Sequence, residues 1–164
     1  MNLRSFRFSF LAILLAFGFI PLLAAQTVAQ ETGAKHIAAA TIPSQNLLQP
    51  SELAQMLQTP QKPLVLQVGS HVLYAEAHIP GSEYVGAAGT PAGIQALRER
   101  VSSLKKDQLI VIYCGCCPWG KCPNMGPAFE QLHALGFTNV KALYIADNFG
   151  TDWVDKGLPV AKGR

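Results

Sequence analysis

Two short segments of this chain, residues 64–68 and 109–113, are apolar without the alternating polar face of a half-exposed strand. Strands that are covered on both faces of a parallel sheet have this pattern, because neither face meets water. The two segments therefore predict buried strands of a parallel sheet, and such a sheet needs a layer of helices on each face.

Helical segments fall between the predicted strands. Ser51 is placed to cap a short helix, Thr90 begins a second one, and a third is predicted to start near Asn124. Residues 140–143 are a further strand candidate, and residues 153–156 predict a last helical turn. Strands that alternate with helices are typical of an α/β layer fold.

Composition limits the number of domains and the classes of partner. The chain has 164 residues, of which 49% are hydrophobic and 14% charged, and this is enough for one compact domain. The formal net charge of +3 includes Arg4 and Arg7 at the N-terminus, so the rest of the chain is nearly neutral. A charge this small predicts no nucleic-acid partner.

The first 29 residues have the pattern of an export signal. A basic stretch over residues 1–7 precedes an apolar stretch over residues 8–20, and small residues follow, with cleavage expected after Ala25 or Ala29. The alternative is an uncleaved membrane anchor, which is the one case in which a membrane contact is expected. Residues 30–50 are then interpreted as a linker or N-terminal arm and residues 51–164 as the domain, which we expect to be periplasmic.

All four cysteines fall within nine positions, directly after a predicted buried strand: Cys114, Cys116, Cys117 and Cys122. Ligands of open α/β sheets bind beyond the carboxyl ends of the strands, where loops lead into helix N-termini. The helix N-terminus and Lys121 both favour a thiolate over a thiol at Cys114. The sequence thus predicts a nucleophilic cysteine at this position.

Three other interpretations of the cysteines remain open. In an exported protein they form disulfides in one of three pairings, which sequence alone does not distinguish. In a thiol–disulfide redox protein, Cys116, Cys117 or Cys122 resolves an oxidised or persulfidated Cys114. In a non-catalytic module, Cys114, Cys116, Cys117 and Cys122 bind a soft metal or shape a partner site, with copper(I) favoured over zinc.

Four segments, taken in order, resemble the rhodanese-like domain family. They are residues 64–68 (LVLQV), 77–82 (AHIPGS), 111–114 (VIYC) and 135–140 (LGFTNV), the last followed by Trp153 and residues 157–160 (GLPV). The resemblance implies a central, parallel, five-stranded sheet flanked by helices on both faces. It also implies sulfurtransferase activity without a cofactor, in which Cys114 carries sulfur from a small anion such as thiosulfate to a thiol acceptor, with a periplasmic protein as a possible partner.

The resemblance further implies an anion-binding loop after the cysteine, formed by Gly115, Cys116, Cys117, Pro118, Trp119, Gly120 and Lys121. This loop departs from the family pattern because it is enlarged and holds no arginine between Cys114 and Asn124. Lys121 does not have the forked geometry of arginine, which argues against the related phosphatase activity. A second insertion is expected around residues 147–150.

Overall fold

The computed structural model describes residues 41–163, and a five-stranded sheet lies at the centre of this part of the chain. The predicted leader and most of the predicted arm, residues 1–40, lie outside the described residues. The strands are β1 (Leu47–Leu48), β2 (Leu64–Gln67), β3 (Glu83–Tyr84), β4 (Ile110–Tyr113) and β5 (Val140–Leu143).

Within residues 41–163, four α-helices and three shorter helical turns accompany the strands. The helices are α1 (Pro50–Met56), α2 (His71–Glu76), α3 (Pro91–Val101) and α4 (Met125–Ala134). Two 3₁₀ turns lie at Ser44–Asn46, before β1, and at Trp119–Lys121, and a π-helical turn follows β5 at Gly150–Val154. No helix within residues 41–163 is both long and apolar enough to cross a membrane.

The strand order is β1-β5-β4-β2-β3, and every pair is parallel. All four residues of the central strand β4 are buried, which explains why its sequence is apolar throughout. The predicted α/β class with a parallel five-stranded sheet is therefore confirmed. Two of the strands, β1 and β3, have only two residues each.

Alternate residues of the sheet face two separate hydrophobic clusters. Ile110 and Ile112 pack on one face with Leu97 of α3 and Leu132 of α4. The other face carries a second cluster, in which Val65, Val111 and Tyr113 pack with Leu53 of α1 and with Trp153. Helices therefore cover both faces, as predicted. Burial of each large apolar side chain stabilises the folded state by roughly 1.5–3 kcal/mol.

Residues that precede Ser51, the predicted start of the domain, also contribute to the sheet and its core. Ile42 is buried in the first cluster, and β1 pairs with β5 at the edge of the sheet. Helix α1 begins at Pro50, where the backbone N–H of Gln49 donates a 2.7 Å hydrogen bond to Glu52 Oε2. Ser51 therefore lies inside the helix, because proline is well suited to its first position and the glutamate satisfies the preceding amide.

Candidate active site

The loop between β4 and α4, residues 114–124, carries all four cysteines and starts at the carboxyl end of the central strand. Gly115 has a φ of +74°, and a Cβ there would lie 2.7 Å from Phe149 Cβ. Only glycine fits this left-handed turn beside the phenylalanine. The turn reverses the chain immediately after Cys114 and returns the next cysteine toward it.

The sulfur atoms form one cluster of free thiols. Cys114 Sγ lies 3.1 Å from Cys116 Sγ, and Cys116 Sγ lies 3.2 Å from Cys117 Sγ. The sulfurs of Cys114, Cys116 and Cys122 all lie within 4.8 Å of one another. These separations exceed the ~2.05 Å of a disulfide, and all four cysteines are free.

Asn124 connects this cluster to the neighbouring loop. Its Nδ2 donates to Cys114 Sγ at 3.2 Å and to Cys116 Sγ at 3.9 Å, while its Oδ1 accepts from the backbone N–H of Gly89 at 2.8 Å. The side chain is 6% exposed, so these bonds form away from bulk water. The amide is thereby oriented with its donor end toward the sulfurs.

Gln67, the last residue of β2, holds the backbone at the base of the loop. Its Nε2 donates to the carbonyl oxygen of Cys114 at 3.3 Å, and its Oε1 accepts from the backbone N–H of Gly69 at 3.1 Å. The side chain is 2% exposed and both ends of its amide are paired. It therefore fixes the position of the Cys114 backbone relative to β2.

The pKa of Cys122 is lowered, whereas that of each neighbouring cysteine is raised. Hydrogen bonds from the thiols of Cys114 and Cys116, and then from the backbone N–H groups of Asn124 and Met125, lower the pKa of Cys122 well below that of a free thiol, against the opposing effect of burial. These amides belong to the start of α4, where the positive end of the helix dipole also favours an anion. One thiolate is thus stabilised by several donors.

The same contacts favour the thiol form of the other three cysteines. A hydrogen bond from Cys116 lowers the pKa of Cys114, but the hydrogen bond to Cys122 and burial outweigh it and raise that pKa to about 12. Hydrogen bonding to Cys114 and Cys122 raises the pKa of Cys116, and burial is the largest cause that raises that of Cys117 to about 12. The thiolate at Cys114 stays a prediction, and these contacts favour a thiolate at Cys122 as well.

A cavity of about 340 Å³ opens beside the first two cysteines. Its walls include Cys114, Gly115 and Cys116 from the loop, Gln67 from β2, and Phe149. Cys114 is 4% exposed, whereas Cys116 is half-buried. A small molecule in this cavity would meet both of these sulfurs.

Comparison with known proteins agrees with this architecture. The sequence profile described as a rhodanese-like domain matches residues 49–144, more than half of the chain. The chain belongs to the rhodanese-like domain family. Comparison with curated proteins finds no match.

Solved structures with the same fold include two bacterial proteins. The Alr3790 protein from Anabaena sp. is 23% identical with a TM-score of 0.54, and the match covers 71% of this chain and 92% of that chain. The BH2092 protein from Bacillus halodurans is 21% identical with a TM-score of 0.54, and the match covers 70% of this chain and 75% of that chain. Similarity at this level establishes the fold of the rhodanese-like domain.

The enlarged loop of this rhodanese-like domain only partly matches the predicted anion-binding set. Gly115 and Cys116 line the 340 Å³ cavity with Cys114, whereas Cys117 and Trp119 line a much smaller cavity together with Cys122. The remaining members of the predicted set are exposed and line neither cavity: Pro118, Gly120 and Lys121.

Two of the loop amides are also engaged elsewhere. The backbone N–H of Trp119 donates to the carbonyl of Ala146 at 2.9 Å, and that of Lys121 donates to the carbonyl of Pro118 at 2.8 Å. Both amides therefore donate within the protein, the second of them inside the 3₁₀ turn at Trp119–Lys121. That these two residues help to bind an anion stays a prediction.

The second predicted insertion packs directly against the cysteine loop. The backbone N–H of Phe149 donates to the carbonyl of Gly115 at 3.0 Å, and Ala146 accepts the bond from Trp119. The indole of Trp119 also packs against Tyr144, with ring centroids 5.2 Å apart. The cysteine loop and residues 144–149 thus contact each other.

The structure adds three residues to the site for which the sequence predicts no role there: Asn124, Gln67 and Phe149. The sequence predicts Asn124 only as the start of a helix, yet its side chain caps no helical N–H and bonds to sulfur instead. A polar residue directly after a Cys-Pro pair was a weak local signal for this role. Gln67 and Phe149 come from other parts of the chain, so only the fold brings them to the site.

Proposed function

We propose that this rhodanese-like domain is a sulfurtransferase or sulfur carrier. In this proposal Cys114 takes a sulfur atom from a small donor such as thiosulfate, holds it as a persulfide, and passes it to a thiol acceptor. The observation that carries the proposal is the position of Cys114 Sγ, at the carboxyl end of β4, beside the 340 Å³ cavity and within 3.2 Å of the Asn124 amide.

The transfer is a pair of displacements at sulfur. The Cys114 thiolate attacks the outer sulfur of thiosulfate, the sulfur–sulfur bond of the donor breaks, and sulfite leaves with the electron pair. An acceptor thiolate then attacks the outer sulfur of the persulfide, and Cys114 leaves as a thiolate. The two steps balance without an oxidant or a cofactor.

Cys114 must lose its proton before it attacks, because the thiolate is the nucleophile. The side-chain amide of Asn124 donates to Cys114 Sγ at 3.2 Å, and this bond stabilises the negative charge that the lost proton leaves on the sulfur.

The charge of the cavity wall favours donors that carry little negative charge. Among the residues that line the cavity, Glu76 is acidic and none is a lysine or an arginine. A dianion such as thiosulfate therefore meets no compensating cation there. We expect cysteine persulfide, which carries less net negative charge, to load the site faster than thiosulfate.

Mass spectrometry after incubation with each of these two donors tests the proposal. We expect one added sulfur per chain, mapped to Cys114, and none in the Cys114→Ser variant. Circular dichroism of the variant controls for folding. Sulfur that maps to another cysteine in the wild-type chain, or that the folded variant still acquires, would overturn the assignment to Cys114.

We also propose that the protein acts outside the cytoplasm, in the periplasm, where its acceptor thiol would be found. The support is the basic and apolar pattern of residues 1–29. N-terminal sequencing of the mature protein is expected to start after Ala25 or Ala29, and an intact N-terminus at Met1 on a cytoplasmic protein would contradict export.

A further inference from the structure

We propose that the loop after β4 is a copper(I) site in which the ion is bound by the sulfurs of Cys114, Cys116 and Cys122. The rhodanese-like fold does not require such a site, and the proposal does not depend on sulfur transfer. The same sulfurs that surround the nucleophile would then also bind a soft, monovalent ion.

The spacing of the three sulfurs suits a single central ion. A zinc–thiolate bond is about 2.3 Å long, so three sulfurs evenly spaced around an ion of that size lie about 4.0 Å apart. The sulfurs of Cys114, Cys116 and Cys122 already lie within 4.8 Å of one another. Small side-chain movements would therefore complete a three-sulfur site, without rearrangement of the backbone.

Donors outside the cluster are arranged as they are around metal-bound thiolates. Asn124 Nδ2 donates to the sulfurs of Cys114 and Cys116, and its Oδ1 is held by the Gly89 amide. Backbone N–H groups of Asn124 and Met125 donate to Cys122. Such outer contacts orient metal ligands and disperse their charge.

The number and type of ligands select copper(I) among the ions that bind thiolates. Calcium and magnesium require oxygen ligands, and structural zinc sites almost always have four ligands. Here the group of sulfurs that all lie within 4.8 Å of one another has three members and does not include Cys117. Soft thiolates favour copper(I). Binding replaces thiol protons with the ion and changes no oxidation state.

Anaerobic titration of the reduced chain with copper(I), in competition with the chelator bathocuproine disulfonate, tests this site. We expect one copper per chain to be withheld from the chelator, together with copper–thiolate absorption in the ultraviolet. No sulfur donor is present, so this result and that of the persulfide experiment can fail independently. Complete loss of copper to the chelator would overturn the proposal.

Variants test the three-sulfur assignment. Cys122→Ser is expected to weaken copper binding by about a hundredfold or more, because it removes a ligand. Cys117→Ser is the matched control, and we expect it to retain copper within about threefold of the wild type, since Cys117 lies outside the three-sulfur group. Equal losses in both variants, or retention of zinc(II) while copper(I) is released, would contradict a three-sulfur copper(I) site.

Discussion

Gly69 shows how closely a single residue approaches the cysteine cluster. A Cβ at this position would lie 2.7 Å from Cys114 Sγ and 3.1 Å from Gln67 Nε2. A contact of 2.7 Å forces one of the groups to move, and the sulfur is bounded on its other side by Cys116 and Asn124. The absence of a side chain at residue 69 is therefore a condition for the observed position of Cys114.

The Gly69→Ala substitution is expected to slow persulfide formation on Cys114 by about tenfold to a hundredfold, because it displaces the reacting sulfur. Overpacking should also lower the free energy of unfolding by about 1–3 kcal/mol. Mass spectrometry over time and chemical denaturation measure the two effects. The matched control is Gly120→Ala, because a Cβ at residue 120 has no atom within 4 Å. Equal loading rates in the two variants would contradict this role of Gly69.

At the scale of elements, the start of α3 follows directly from its local sequence. Thr90 Oγ1 accepts a hydrogen bond from the backbone N–H of Gly93 at 3.1 Å and donates one to the carbonyl of Ala87 at 2.8 Å. Pro91 occupies the first helical position, where its missing N–H needs no partner. The hydroxyl therefore joins the helix start to the preceding loop.

We expect Thr90→Ala to lower the free energy of unfolding by about 1 kcal/mol, since it removes this cap. Thr90→Ser keeps the hydroxyl and should retain most of the stability. Urea denaturation of the three proteins provides the measurement. A loss in the serine variant as large as that in the alanine variant would show that the methyl group, rather than the hydrogen bonds, accounts for the effect.

Elements with a strong local signal were predictable, and those without one were not. Strands β2 and β4 are buried on both faces, and so their apolar sequences indicate them directly. Strands β1 and β3 have two residues each, too few to show a period, and only the family resemblance implied five strands.

The site was predictable in location but not in its electrostatics. The position of Cys114 after a buried strand identified the correct end of the sheet. Which sulfur favours a thiolate depends on where individual donors point, first the neighbouring thiols and then the amides of Asn124 and Met125. Spacing in sequence does not encode these directions, and so Lys121 was predicted at the site although it lies exposed outside both cavities.

At the scale of the whole molecule, one ion pair links the edge strand β3 to helix α3. Arg100 of α3 donates to Glu83 of β3 through both Nε and Nη2, the latter at 2.8 Å from Glu83 Oε1. The hydrogen bond from Arg100 holds the pKa of Glu83 below its ordinary value of 4.5, against a smaller opposing effect of burial. The side chains are 33% and 42% exposed for Arg100 and Glu83, so solvent screens much of the attraction.

This ion pair makes the stability of the domain depend on acidity. Because the folded-state pKa of Glu83 is lowered, its contribution is fully present above the ordinary value and is lost as the pH falls through the folded value. We expect Glu83→Gln to reduce the free energy of unfolding by about 0.5 kcal/mol near neutral pH, and by much less near pH ~3. Denaturant titrations at both pH values measure the difference between variant and wild type.

Glu130→Gln is the control, since residues 41–163 hold no ion-pair partner for Glu130, and its effect should not shrink with acidity. A Glu83→Gln deficit that stays constant across this range would mean that the charge of Glu83 does not stabilise the contact between β3 and α3.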